Sequence, residues 1–244
     1  MALKSKWLIA SALIIVIACS AFLQYQANSG STSDRDTLFQ LAAFNTFSTG
    51  QYAGVMPYSE LEKHGDFGIG TFDGLDGEMI ALDGVFYQIP STGTPRKAEL
   101  TQTTPYATIT YFEADKTFTV ADLNFTQLKT YLDSQIDTSK DVIYGIKVSG
   151  TFDWTQTRSP EKQTEPYQNI TEALKTQAVF NLTDVQATAV GFWFPARMSG
   201  VDYAGYHVHF ITDDMTAGGH LLDCIIKDAT ITVDIINNYN LVLP

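Results

Sequence analysis

Cysteine is nearly absent: the 244 residues hold only Cys19 and Cys224, too few for the disulfide framework that staples small secreted domains. Charge is sparse too, at 17% of residues, and 15 Lys and Arg stand against 27 Asp and Glu for a net −12. A surface that negative repels phosphate backbones, so nucleic acid is not an expected partner. The glycines of 65–77 have neither the GxGxxG nor the GxxxxGK[ST] spacing, and no phosphate cradle is expected. No short-period repeat is visible, which excludes solenoids and propellers. What is present is 45% apolar and 12% aromatic residues, the composition of a packed globular body rather than a disordered or collagenous one. At roughly 100–200 residues per domain, this length suits one large domain or two small, closely packed ones.

One long apolar run, Trp7 to Ala18, follows Lys4 and Lys6 and matches the basic and hydrophobic regions of a secretory signal. It closes on Val16-Ile17-Ala18-Cys19, similar to the lipobox of bacterial-type lipoproteins. Simple cleavage near Ala18, lipidation of Cys19 and an uncleaved membrane anchor running on to Leu23 all stay open. Residues 1–19 are thus expected to be a signal, 20–36 a flexible Ser/Asn/Gly-rich linker and 37–244 the folded domain, exported and either secreted or anchored on the extracytoplasmic side. Fifteen basic residues less Lys4 and Lys6 leave 13 against 27 acidic ones in that mature body, near −14. Asn-x-Thr sequons at Asn124, Asn169 and Asn181 matter only in a host that glycosylates exported proteins.

Apolar spacing over 37–50 predicts a helix ended by Gly50, with further helices over 123–136 and 170–175. Short β-rich runs punctuated by Asp-Gly pairs at 73–74, 76–77 and 83–84 predict hairpins between 67 and 89. Strands are predicted at 107–112, 118–120, 142–152, around 152–156, and at 179–182, 185–194, 206–212, 221–227 and 230–236. The first pair of that closing series is joined by Asp213 to Gly219. Strands outnumber helices without alternating with them, so the expected class is α+β (mixed α/β): two closely packed sheet-based subdomains of mixed and antiparallel sheets with short helices.

Three of the four histidines fall within fourteen residues, His207, His209 and His220. Residues two apart on a strand share a face, and a hairpin through Gly218 and Gly219 can bring His220 alongside. Three neutral imidazoles with an open position are the ligand set of a catalytic zinc site. Carbonic-anhydrase-like and cupin-like barrels also use His-x-His, but the first places its third histidine further along and the second needs a glutamate soon after the pair. His64, between acidic neighbours, is expected at the surface, and Cys224 in Leu-Leu-Asp-Cys-Ile-Ile is expected to be a packed thiol.

Four segments, Gly68 to Gln88, Thr155-Gln-Thr-Arg158-Ser-Pro, Gly191-Phe-Trp-Phe-Pro195 and His207-x-His209-x10-His220, resemble in order and spacing the acetolactate decarboxylases. The similarity spans about 37–237. It implies a dimeric, zinc-dependent lyase on a two-domain α/β fold that converts 2-acetolactate to acetoin and carbon dioxide. It also implies that His207, His209 and His220 bind the metal, that Arg158 is the active-site arginine and that Glu78 is the active-site glutamate. In the chemistry so implied, a metal chelates two substrate oxygens and holds the enediolate left by decarboxylation. Arg158 supplies a planar fork of donors, Glu78 delivers the proton to one face, and Thr71 adds a hydroxyl. The family carries a further glutamate in a C-terminal tail, whereas no acidic residue follows Asp234 here. Either Glu78 protonates alone, or the activity has weakened or shifted to a related substrate. A His-ligated zinc hydratase or hydrolase and a non-catalytic exported metal- or ligand-binding domain are the rival readings.

Overall fold

The computed structural model describes residues 35–244. The signal over 1–19 and all of the linker except its last two residues lie outside the described residues. From Thr37 the chain forms β1 (Thr37–Leu41), helix α1 (Phe44–Ser48), β2 (Met56–Pro57) and helix α2 (Tyr58–Leu61). Next come β3 (Phe67–Thr71), β4 (Glu78–Leu82), β5 (Val85–Ile89), β6 (Arg96–Lys97), β7 (Thr103–Thr104) and β8 (Ala107–Thr110). The second half comprises β9 (Lys116–Asn124), helix α3 (Phe125–Gln135), β10 (Ile143–Ser159) and helix α4 (Ile170–Ala173), which runs into a 3-10 turn over Leu174–Thr176. It closes with β11 (Ala178–Phe194), β12 (Gly205–Thr212), β13 (Gly218–Ile236) and β14 (Asn238–Val242).

Apart from β2 and β7, which pair with each other, the strands gather into a seven-stranded sheet ordered β14-β1-β8-β3-β4-β5-β6 and a five-stranded sheet ordered β10-β11-β12-β13-β9. The first is mixed, because β14 runs parallel to β1 while its other pairs are antiparallel. In the second, β10 pairs β11 along one edge and β13 along the other, β11 pairs β12, and β12 returns to β13. Four strands thus close into a ring, with β9 laid against the far end of β13.

Parity decides what each strand faces. Val190, Phe192 and Phe194 of β11 and Ile211 of β12 meet Ile69 of β3 and Ile80 of β4 in the core between the sheets. Ala187, Ala189 and Trp193 of β11, with Val208 and Phe210 of β12, turn the other way into a core that includes Leu128 and Leu132 of α3. Helix α3 starts at a capping box: the Asn124 side chain accepts from Gln127 N, and Gln127 Oε1 accepts from Asn124 N, each at 2.9 Å. Such a cap contributes ~1 kcal/mol. Helices over 125–135 and 170–173, the hairpins between 67 and 89 and the α+β class agree with expectation.

Three expectations are corrected. The helix predicted over 37–50 is a strand followed by the five-residue α1. Residues Leu38 to Leu41 are buried on both faces, and a short apolar run of that kind has no period to separate strand from helix. The paired short strands predicted along 142–156, 179–194 and 221–236 are single long strands. Their alternation is broken locally, by register shifts at Thr151/Phe152 and Phe152/Trp154 and by Asp184 at φ 53°, while the pairing continues. Finally, Gly218 and Gly219 belong to β13, paired with Ile211 and Phe210, so the turn occupies 213–217.

Candidate active site

His207 and His209 have the same parity as Ile211, so both point from β12 toward the seven-stranded sheet. His220 stands directly opposite His209 in register on β13. The three ring centroids lie 5.1 to 5.3 Å apart, and one ligand nitrogen from each falls within 4.8 Å of the others. The tautomer of His209 follows from its partner: Nδ1 is 2.8 Å from the Met79 carbonyl, which can only accept, so Nδ1 carries the proton and Nε2 offers a lone pair. His209 Nε2 and His207 Nδ1 are buried without any hydrogen-bond partner. Burial pushes His209 down to about 3 despite the Met79 bond, with Arg158 adding to the fall. Burial first, then mutual repulsion and Arg158, holds His207 and His220 well below the ordinary imidazole range. The imidazoles are therefore neutral at physiological pH.

Glu78 opens β4 and shares the face of Ile80. It is 7% exposed, and burial lifts it to about 7 against the opposing charge of Arg158. Its Oε2 lies 3.4 Å from Nε2 of His209. That nitrogen bears a lone pair, so the contact sets two electron-rich atoms against each other, and only a proton on Glu78 or a cation among the imidazoles relieves it. Orphaned buried nitrogens, low basicity and a backbone carbonyl behind one ring are together the donor set that suits a zinc-like divalent ion. The residues fit the metal.

Arg158, near the end of β10, is the cross-strand partner of His220 on one side and of Val179 on the other. One terminal nitrogen donates to Gln177 Oε1 at 2.8 Å, while Nε is buried without a partner. Thr71 lies opposite Glu78 in register, and its hydroxyl donates to the Gly77 carbonyl at 2.6 Å, pinning the turn that leads into Glu78. The three histidines, Glu78, Arg158 and Thr71 all line one cavity of about 240 Å³. Its far wall is apolar, with Phe44 and Phe47 from α1, Leu75, Tyr106, and Ile170 and Leu174 from the α4 region.

The sequence signals therefore converge on one cavity. His64 stays outside it, stacked on Phe39 at 3.8 Å between ring centroids, and Cys224 is fully buried with burial pushing its thiol up to about 12. Residues 238–242 form the edge strand β14, and no residue after His220 lines the cavity. Sequence reasoning missed Gln177, the Met79 carbonyl and Tyr203, whose half-exposed ring sits 5.6 Å from His207 and 6.0 Å from Phe44 at the cavity mouth. Gln177 and Tyr203 stand in segments with no motif, and a carbonyl leaves no trace in residue type. The Tyr203 loop is held from behind: Val201 O accepts from Phe44 N and from Gln40 Nε2, and Asp202 Oδ2 accepts from Thr108 Oγ1 at 3.0 Å.

Known proteins share the sequence pattern and the fold. The profile of the family described as Alpha-acetolactate decarboxylase matches residues 38–244. A relative of that description from Methanosarcina mazei is 42% identical over 215 residues, covering 88% of this chain and 74% of its own. One from Bacillus subtilis strain 168 is 38% identical over 208 residues, covering 85% and 81%. The crystal structure of alpha-acetolactate decarboxylase from the same strain superposes with a TM-score of 0.83 at 37% identity, covering 85% of this chain and 89% of that one.

Proposed function

The chain belongs to the alpha-acetolactate decarboxylase family, and from that membership we propose how its own residues convert 2-acetolactate to acetoin and carbon dioxide. The substrate carries a carboxylate, a tertiary hydroxyl and a ketone on adjacent carbons. His207, His209 and His220 would hold the divalent metal, zinc by the donor set, leaving room for a ligand. When bound, the metal supplies Lewis acidity toward substrate oxygens.

The protein side chains do the rest. Arg158 presents a half-buried guanidinium whose buried Nε has no partner, a donor for the carboxylate and for the oxyanion that replaces it. Scission of the bond to the carboxylate carbon releases carbon dioxide and leaves the electron pair as an enediolate. Glu78, whose carboxyl burial lifts toward neutral pH, delivers a proton to the hydroxyl-bearing carbon that lost the carboxylate, giving acetoin with the proton on one face. The apolar wall of Phe44, Phe47 and Leu75 excludes water and receives the methyl groups. Thr71 sets the approach to Glu78 and keeps its oxygen lone pairs for a substrate hydroxyl.

One observation carries this reading: three clustered imidazoles, an arginine with an unmet Nε and a buried carboxyl share one cavity. Export, carried by the residue pattern of 1–19, and assembly as a homodimer, carried by the family resemblance, complete the proposal. The test is acetoin production from fresh racemic 2-acetolactate with and without chelator. Chelator-sensitive acetoin supports the reading; a metal-loaded protein that turns over esters or carbon dioxide without forming acetoin overturns it.

A further inference from the structure

Arg158 is a half-buried cation with an unusual set of partners. Among the described residues no carboxylate forms an ion pair with it; its one hydrogen bond goes to the neutral amide oxygen of Gln177 at 2.8 Å. A cation in a cavity wall with no ion-pair partner is placed to take its counter-charge from an anionic ligand. The donor left unmet here is Nε, itself buried. Gln177 is well placed to act on the guanidinium. It directly precedes β11, where Ser159 pairs Ala178 and Arg158 pairs Val179, so its side chain shares the Arg158 face of the sheet. Its backbone N–H bonds Leu174 O at the close of the 3-10 turn, which fixes the point from which the amide reaches.

We propose that Gln177 is the positioning residue for Arg158, holding the guanidinium with an uncharged acceptor so that its full charge remains for the carboxylate of the substrate. A glutamate at this position would reach the same nitrogen and orient it equally well. It would also neutralise the charge and compete with any anionic ligand. The chemistry of an anion site thus selects an amide over a carboxylate, although the carboxylate would bind Arg158 more strongly. The proposal rests on the decarboxylase reading only for the identity of the anion.

The test compares full-length wild type, Gln177→Glu and Gln177→Met, all checked for equal metal content so that a lost arginine contact is told apart from a collapsed histidine site. Each is melted alone, melted with 2-hydroxyisobutyrate as a 2-hydroxy carboxylate probe, and assayed for KM and kcat on 2-acetolactate. Gln177→Glu is expected to melt higher than wild type without ligand, to lose stabilisation by the probe and to show a KM raised at least about tenfold, the loss of one charged hydrogen bond. Gln177→Met keeps the length and removes the acceptor; it is expected to raise KM severalfold with kcat little changed and no gain in melting temperature. It decides the question alone if the glutamate variant does not fold. Wild-type KM and wild-type probe stabilisation in both variants overturn the proposal. A wild type that is stabilised by the probe but makes no acetoin removes the substrate reading and leaves Gln177 to the melting data, whereas a wild type that shows neither effect overturns both.

Discussion

Arg158 and His220 are cross-strand partners on β10 and β13, so the proposed carboxylate-binding residue and one proposed metal ligand are set by the same backbone contact. That contact is made close by Gly219, which has φ +134° and whose added Cβ would lie 2.4 Å from the Arg158 carbonyl oxygen.

Gly219→Ala should therefore damage both functions through one substitution. A backbone atom cannot step aside as a flexible side chain can, and an L-residue is strained at that φ. Lower melting temperature, reduced metal content and reduced acetoin formation are expected together, read by differential scanning calorimetry, metal analysis and the acetoin assay. A variant with wild-type metal content and activity would show that the strands separate without cost.

Removing a ligand should act through the metal. His209→Ala is expected to lower metal affinity by more than the roughly 10–100-fold that outer partners of a ligand are worth, and to abolish acetoin formation. Metal analysis after dialysis, with the acetoin assay beside it, gives the result.

Glu78→Gln keeps shape and burial but removes the proton donor. A fall in kcat of roughly 10²–10⁴-fold is expected, together with acetoin of reduced enantiomeric purity, because solvent then reaches the enediolate from either face. Chiral chromatography of the product reads the second effect, and undiminished purity would assign the proton to another group.

Asp202 supplies a pH signature from outside the cavity lining. Burial lifts it from 3.8 to about 6, against hydrogen bonds from Tyr203 N and Thr108, so ionising it in the folded state costs on the order of 3 kcal/mol. Its folded value exceeds its unfolded one, so the stability it contributes is complete below pH 3.8, drains away as pH rises to about 6, and is absent above. Asp202→Asn should lose that slope and gain on wild type as pH rises from 4 to 7, measured by urea denaturation across the range. Parallel curves for the two proteins would rule the effect out.

How much of the site was legible depended on how far apart in the chain its parts lie. The histidines were readable because two share a strand face and the third follows one turn later, inside fourteen residues. Arg158 and Glu78 carry no local signal, and only their place among several motifs in order drew attention to them. Gln177 was invisible: its role arises from a register between β10 and β11 that no spacing encodes. The same limit applies to the fold. Helix α3 announced itself through a helical period, whereas β1 is buried on both faces and reads as an aperiodic run. The three longest strands were broken in the sequence at Phe152, at 183–184 and at 228–229, where local irregularity hides continuous pairing.

The ring of four strands is fastened at its narrowest point. Only three register pairs join β12 to β13, and one of them is His209 with His220. The site is thus the buckle of a belt: the proposed ligands face each other across this joint, and a metal held there would resist the belt's opening. The same joint carries the proposed catalytic centre and completes the topology, so an ion that served the chemistry would also lock the architecture that presents it.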